Sequence, residues 1–360
     1  MEKKIRVGII GGGFGAKVQA PMMQSHPGFE VVSLASVGRG RIQELEEETG
    51  IAKIYDNWNE MLEKEELDLV SVASAPLLHH EMVLKAYEHG HHVLCEKPFA
   101  KNAQEATEMI EARNKANKQG FINFEFRFLP ARQKIKEVIS SGQLGEILHV
   151  NYSMSFPGYE RLISNSRGWL GQKDQAGGML GAIGSHMFDS LLWWVGDQIQ
   201  SVSGQLTTHV PEFDPENGEK EIRTADDSFQ TFGLFSKGTT FSLGLISAAR
   251  HSQSWKLEVY GSEGTLMMTE DKKVLVGIGN GPLEEVELLS DLEIPQQMSD
   301  LAGRYYNAFY RSLDAVYEAI ANNKIHPYLP SFEAGLEVQK ILDAVTKSSE
   351  QSKTIRLLPN

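Results

Sequence analysis

The chain has 360 residues, 41% hydrophobic and 23% charged, with 48 acidic against 35 basic side chains and a net charge of −13. That balance excludes a basic nucleic-acid surface and an anionic membrane as main partners, and the single cysteine, Cys95, excludes a disulfide framework or a cysteine-rich metal site. At roughly 150 residues per domain the length suits about two cores, and no apolar run reaches the ~18 residues of a membrane span.

In chain order, Met1-Glu2-Lys3-Lys4 runs straight into an apolar strand over 5–10, with no leader-like block, which points to a reducing, cytoplasmic setting. Residues 29–35, 67–73, 91–95 and 121–124 read as further strands. Amphipathic stretches lie between them: 41–49 ended by Gly50, 79–89 ended by Gly90, and 103–119 ended by Gly120, with Asn102 as an N-cap. Apolar strands alternating with helices predict an α/β domain with a doubly wound parallel sheet over residues 1–126. From about Phe128 the pattern changes. A helix over 130–140 leads to longer alternating strands at 147–156, 202–210, 229–235, 239–246, 256–260 and 265–269. Lys237-Gly238 and Gly261-Ser262-Glu263-Gly264 are hairpin signals. Residues 211–224 read as a surface loop, and helices over 304–322 and 331–348 close the chain. The second domain, 127–360, is therefore expected to be α+β with an open, mainly antiparallel sheet.

Gly11-Gly12-Gly13-Phe14-Gly15-Ala16 joins the first strand to the first helix and fits G-x-G-x-x-A at Gly11, Gly13 and Ala16. In that pattern the first glycine makes a tight turn and the second lets the backbone approach a pyrophosphate. The small last residue lets the helix pack close to the strand. Helix N-terminal amides and the positive end of the dipole then face the phosphates. Where an acid would bond the ribose 2′-hydroxyl of NAD stands Ser36, followed by Arg39 and Arg41. A hydroxyl and two guanidinium groups favour NADP(H), with NAD(H) as the alternative.

Further motifs follow in order: Ala75-Pro76…His80, Glu96-Lys97-Pro98, Arg127-Phe128…Pro130, and Trp169 ahead of Gly177-Gly178. Gly184-Ser185-His186…Asp189 and Pro330-Ser331-Phe332-Glu333-Ala334-Gly335-Leu336 complete the series. With the glycine loop they make the chain resemble the glucose–fructose oxidoreductase/inositol dehydrogenase (Gfo/Idh/MocA) family over nearly its whole length. The resemblance implies a Rossmann domain and an open-sheet domain. It also implies an NAD(P)-dependent dehydrogenase or reductase acting on CH–OH groups of a sugar, cyclitol or related polyol. It further implies a cis Lys97–Pro98 bond, and a homodimer or homotetramer built on the C-terminal sheet. Cofactor contacts are expected from the glycine loop, Ser36, Arg39, Arg41, Ser74, Ala75, Pro76, His80, Glu96, Lys97 and Trp169.

Hydride transfer from an alcohol leaves a proton to be removed, so the site needs a base and a cation that polarises the oxygen. Lys97, at a strand end and fixed by Pro98, is the expected cation, and His186 the expected acid–base. Ala182, His186 and Asp189 fall at helical spacing on one face of a helix over 179–195. The family pattern often carries an aspartate where Ala182 stands. Arg127, Tyr159, Arg167 and Asp189 are the expected substrate contacts. His79 is expected at the surface, and no third ligand stands near the His79-His80 pair, so no metal is expected. The alanine at 182 keeps open a non-catalytic NAD(P)-binding regulator, and the resemblance also implies, as a third reading, a redox-assisted glycosidase of the same family.

Overall fold

The computed structural model describes residues 4–38, 40–215 and 218–358. β1 (Ile5–Ile10) is followed by a π turn, Gly15–Gln19, that runs into α1 (Ala20–Ser25). Then come β2 (Phe29–Ala35), α2 (Ile42–Thr49), β3 (Ile54–Tyr55), α3 (Trp58–Lys64), β4 (Leu69–Val72), α4 (His79–Glu88), β5 (His92–Cys95), α5 (Ala103–Ala116) and β6 (Gly120–Ile122). The six strands pair in the order β3-β2-β1-β4-β5-β6, every pair parallel. β4 is buried at all four residues and β1 at five of six, which is why these segments read as continuous apolar runs. The order reverses between β1 and β4, so the crevice beyond their carboxyl ends is the switch point where an open α/β sheet binds ligands.

The next elements are α6 (Pro130–Ser140), β7 (Ile147–Ser155), α7 (Tyr159–Ser164), α8 (Ser185–Val195), β8 (Ile199–Thr207), β9 (Glu212–Phe213) and β10 (Glu221–Ile222). β11 (Ser228–Phe235), β12 (Thr240–Ile246), β13 (Ser254–Gly261), β14 (Gly264–Thr269), β15 (Lys273–Ile278) and β16 (Glu284–Glu285) follow. The chain ends with α9 (Asp300–Ala321), α10 (Phe332–Gln351) and β17 (Ile355–Arg356). Nine strands form one sheet, β16-β15-β14-β13-β7-β12-β11-β8-β17. The 229–235/239–246 and 256–260/265–269 hairpins are formed as expected. β7 and β12 run parallel, so the sheet is mixed. Alternation puts Val150, Tyr152, Leu243, Leu245, Leu257 and Val259 on the buried side, while Asn151, Ser242 and Glu258 share a polar side.

The chain divides into two compact units, 1–128 with 291–336 and 129–290 with 337–360. A single cut after residue 126 therefore misplaces residues 291–336. The reason is α9. Ser299 caps it, and Ala302, Tyr306, Phe309, Leu313 and Val316 form a stripe that joins the core of Met22, Met23 and Phe29. Two local expectations also change. Asn117, not Gly120, takes the left-handed C-cap of α5 at φ +52, and Gly120 lies in β6, where a Cβ would fall 2.4 Å from Tyr87 Oη. The 211–224 segment carries the β9–β10 ladder, with residues 216 and 217 outside the described set. Among the described residues no helix is long and apolar enough to cross a membrane.

Candidate functional site

The glycine loop leaves β1 at the switch point. Gly11 has φ +142, and a Cβ there would lie 2.3 Å from Ala73 O, the first carbonyl beyond β4. Gly13 is exposed, and a Cβ on it would meet nothing within 4 Å, so its surface is open to a phosphate. Gly12 is half-buried beside Leu45. The close helix–strand approach expected of Ala16 is shared. Ala16 is buried, but Gly15 makes the tightest contact, its virtual Cβ 2.9 Å from Ile9 Cγ2. Phe14 packs edge-on against Tyr305, with ring centroids 5.1 Å apart. These residues fit a dinucleotide pyrophosphate: a glycine turn, an open second glycine, and a helix start at the switch point.

Glu96 and Lys97 follow β5 in the same crevice. Glu96 is buried; its Oε1 accepts from Gln19 Nε2 at 2.8 Å and from Asn123 Nδ2 at 2.6 Å, and Gln19 Oε1 accepts from Ser71 Oγ at 2.7 Å. Burial raises the Glu96 pKa, opposed by the neighbouring Lys97 charge. Glu96 thus braces the glycine-loop helix to the strand ends. Sequence reasoning missed Gln19 and Asn123 because nothing local marks them. Lys97 is half-buried, and the Lys97–Pro98 bond is cis.

The β4–α4 loop brings Ser74, Ala75 and Pro76 to the same end of the sheet; Ser74 Oγ donates to Ala75 O, and Pro76 opens a single 3₁₀ turn. Here His79 departs from its expected exposure. His79, expected at the surface, is fully buried, with Nδ1 3.1 Å from Pro98 O and Nε2 3.1 Å from Ser74 O. Burial lowers its pKa, with the Lys97 charge acting in the same direction and the facing carbonyls opposing it, and the ring sits between the Ser74 loop and the Lys97–Pro98 turn. His80 instead pairs with Glu108 at 2.7 Å on α5.

The NADP(H) expectation rested on Ser36, Arg39 and Arg41. Ser36 Oγ donates to Asp56 Oδ1 at 2.6 Å. Arg41 donates to Glu44 at 2.7 and 2.5 Å and to Gly12 O at 3.3 Å. Arg39 lies outside the described residues. Arg127 is buried in the 3₁₀ turn Glu125–Phe128 of the first unit.

In the second unit His186 is buried on α8, at 2% exposure. The residues before it, Leu180–Gly184, form a π turn rather than α-helix. The wider turn changes the helical phase, so the expected face shared by Ala182 and His186 does not carry over from regular spacing. The helix start is fastened by Asp226: its Oδ2 accepts from Leu180 N at 2.8 Å and its carbonyl from Met179 N at 3.1 Å. Burial pushes the Asp226 pKa up to about 6. Asp189, expected at substrate, is buried, and its charge acts on Arg132. Arg132 is fully buried; it bonds Asp271 at 3.0 and 2.9 Å and Ser190 at 2.9 Å. Burial opposes its charge, yet the Asp271 and Asp189 carboxylates hold its pKa above the usual arginine value. Tyr159 lies under Arg250, 4.5 Å from its ring centroid. Arg167 is half-buried and donates to Asp226 O at 3.3 Å, whereas Trp169 is exposed. Among the described residues no three His, Cys, Asp or Glu side chains are placed to hold a metal ion.

Comparison with known proteins decides the family. Residues 5–124 match the NAD-binding Rossmann-fold model of an oxidoreductase family (GFO_IDH_MocA), and residues 136–357 match that family's C-terminal alpha/beta domain. The chain belongs to this oxidoreductase family. Within it, an uncharacterized oxidoreductase of Synechocystis is 30% identical, over 97% of this chain and 95% of its own. Myo-inositol 2-dehydrogenase of Thermotoga maritima is 25% identical over 98% of each. The solved structure of levoglucosan dehydrogenase in complex with NADH and L-sorbose superposes with a TM-score of 0.86 at 23% identity, covering 99% of this chain and 100% of that one. Family membership makes the glycine loop part of an NAD-binding Rossmann fold.

Proposed function

We propose that this protein is a nicotinamide-dependent dehydrogenase or reductase acting on a hydroxyl-bearing or carbonyl carbon of a sugar, cyclitol or related polyol. The observation that carries the reading is Lys97, set at the carboxyl end of β5 beyond the same sheet edge as the glycine loop. Gly11, Gly13 and the helix start hold the pyrophosphate, and Ser74 to Pro76 line the next strand end. A bound nicotinamide supplies hydride chemistry. Lys97 polarises the substrate oxygen, and His186 takes up or returns its proton. Relatives named for myo-inositol and levoglucosan support a cyclic polyol or sugar as substrate.

The test is nicotinamide absorbance across a panel of sugars, polyols and cyclitols. Turnover is expected for at least one, with Lys97→Met lowering kcat/KM by ~10²–10³ and leaving cofactor affinity nearly unchanged. Parent-level activity in Lys97→Met would refute the mechanism. No steady-state turnover on any alcohol, with cofactor still bound, would favour the regulator or the redox-assisted glycosidase. The polar side of the nine-stranded sheet, on which Phe232 is 63% exposed, supports a homodimer or homotetramer. Phe232→Asp is expected to lower the sedimentation mass if that face is the interface.

A further inference from the structure

We infer that Asp56 selects NAD(H) and rejects NADP(H), an inference that rests on reading the chain as a nicotinamide-dependent enzyme. β3 lies beside β2 in the parallel sheet: Ala35 pairs with Tyr55, and Ser36 N donates to Tyr55 O at 2.8 Å. Asp56 therefore emerges next to the residue that ends β2. Its Oδ1 accepts from Ser36 Oγ at 2.6 Å and from Gly40 N at 2.7 Å, and its carbonyl accepts from Gly38 N at 2.6 Å. These bonds enclose Val37, which has φ +63, a conformation disfavoured for a β-branched residue. The β2–α2 turn is thus organised around one carboxylate.

An acid directly after β2 is what reads the ribose 2′-hydroxyl of NAD in a Rossmann domain. Here that position is a serine, and the acid reaches it from the neighbouring strand. A half-buried carboxylate at this place accepts a hydrogen bond from a 2′-hydroxyl and repels a 2′-phosphate. The described cation nearest the turn does not reverse this. Arg41 is bonded to both carboxylate oxygens of Glu44 and to Gly12 O. Among the described residues, Asp56, Arg41 and Glu44 sum to one negative charge, and Arg39 of the same turn lies outside them.

The test is calorimetric titration of the full chain with NADH and with NADPH. NADH is expected to bind tighter by about tenfold or more, the scale of one like-charge contact at a partly exposed site. Asp56→Asn keeps an acceptor oxygen for Ser36 and Gly40 but removes the charge. It is expected to tighten NADPH by about tenfold while weakening NADH a few-fold, with an unchanged melting temperature as the check on folding. NADPH binding as tightly as NADH to the parent overturns the inference, and so does an unchanged NADH/NADPH ratio in folded Asp56→Asn. If that variant does not fold, the parent's ratio and the shorter Asp56→Ser decide in the same way. Failure of the parent to bind either dinucleotide overturns the nicotinamide reading itself, a result distinct from failure of the Asp56 assignment alone.

Discussion

Asp226 offers a pH-dependent test of how the helix carrying His186 is fixed. Its carboxyl accepts from Leu180 N, and burial raises its pKa from 3.8 to about 6. The folded state therefore binds this proton more tightly than the unfolded chain. The stability it contributes is fully present below pH 4 and is lost as pH rises to about 6. At ~1.4 kcal/mol per pH unit the interval between the two values amounts to roughly 3 kcal/mol. Asp226→Asn retains an oxygen that accepts from Leu180 N and cannot ionise. Relative to the parent, the variant is expected to gain about 2–3 kcal/mol more at pH 8 than at pH 4.5. Urea unfolding of both proteins at the two pH values measures this, since the other carboxylates cancel in the comparison. A difference below ~1 kcal/mol, or a gain at the acidic end, would refute the account of Asp226 as a carboxyl buried against its own ionisation.

Other changes separate the remaining roles. Gly11→Ala is expected to abolish dinucleotide binding in calorimetry, because the methyl group would overlap Ala73 O in a conformation glycine alone tolerates. Arg132→Met is expected to destabilise the second unit by about 3–5 kcal/mol in denaturant, since Asp271 is left without its buried partner. His186→Ala is expected to lower kcat/KM by ~10²–10⁴ while leaving cofactor affinity in calorimetry nearly unchanged. His79→Leu is expected to cost about 1–3 kcal/mol of stability by removing the ring donor that faces the buried Ser74 and Pro98 carbonyls.

The fold class, the glycine loop and Lys97-Pro98 were legible because each depends on local constraints: a strand period, a left-handed turn, a proline. Gly11 had to be glycine for reasons visible in its own hexapeptide. Residues whose work is set by long-range pairing left no such mark. Asp56 meets Ser36 across a sheet edge formed by the two-residue β3, too short to read as a strand. Arg132 and Asp271 are 139 residues apart, and Asp226 meets Leu180 from 46 residues away. The two adjacent histidines show the same limit. Composition gives no reason why His79 turns inward to two backbone carbonyls while His80 meets Glu108. The π turn before His186 contains Gly181 and Gly184, which weaken a regular helix without marking where its phase shifts.

The return of residues 291–336 to the first unit sets an order of events during synthesis. The six-stranded sheet is encoded by the first third of the chain, yet Met22, Met23 and Phe29 remain uncovered until α9 has been made. At 5–20 residues per second the 162 residues between Phe128 and Asp291 occupy a ribosome for roughly ten to thirty seconds. During that interval the nucleotide-binding half presents an apolar surface that its own sequence cannot hide. A nascent chain halted near residue 290 would be a chaperone client, and one released after residue 321 would not.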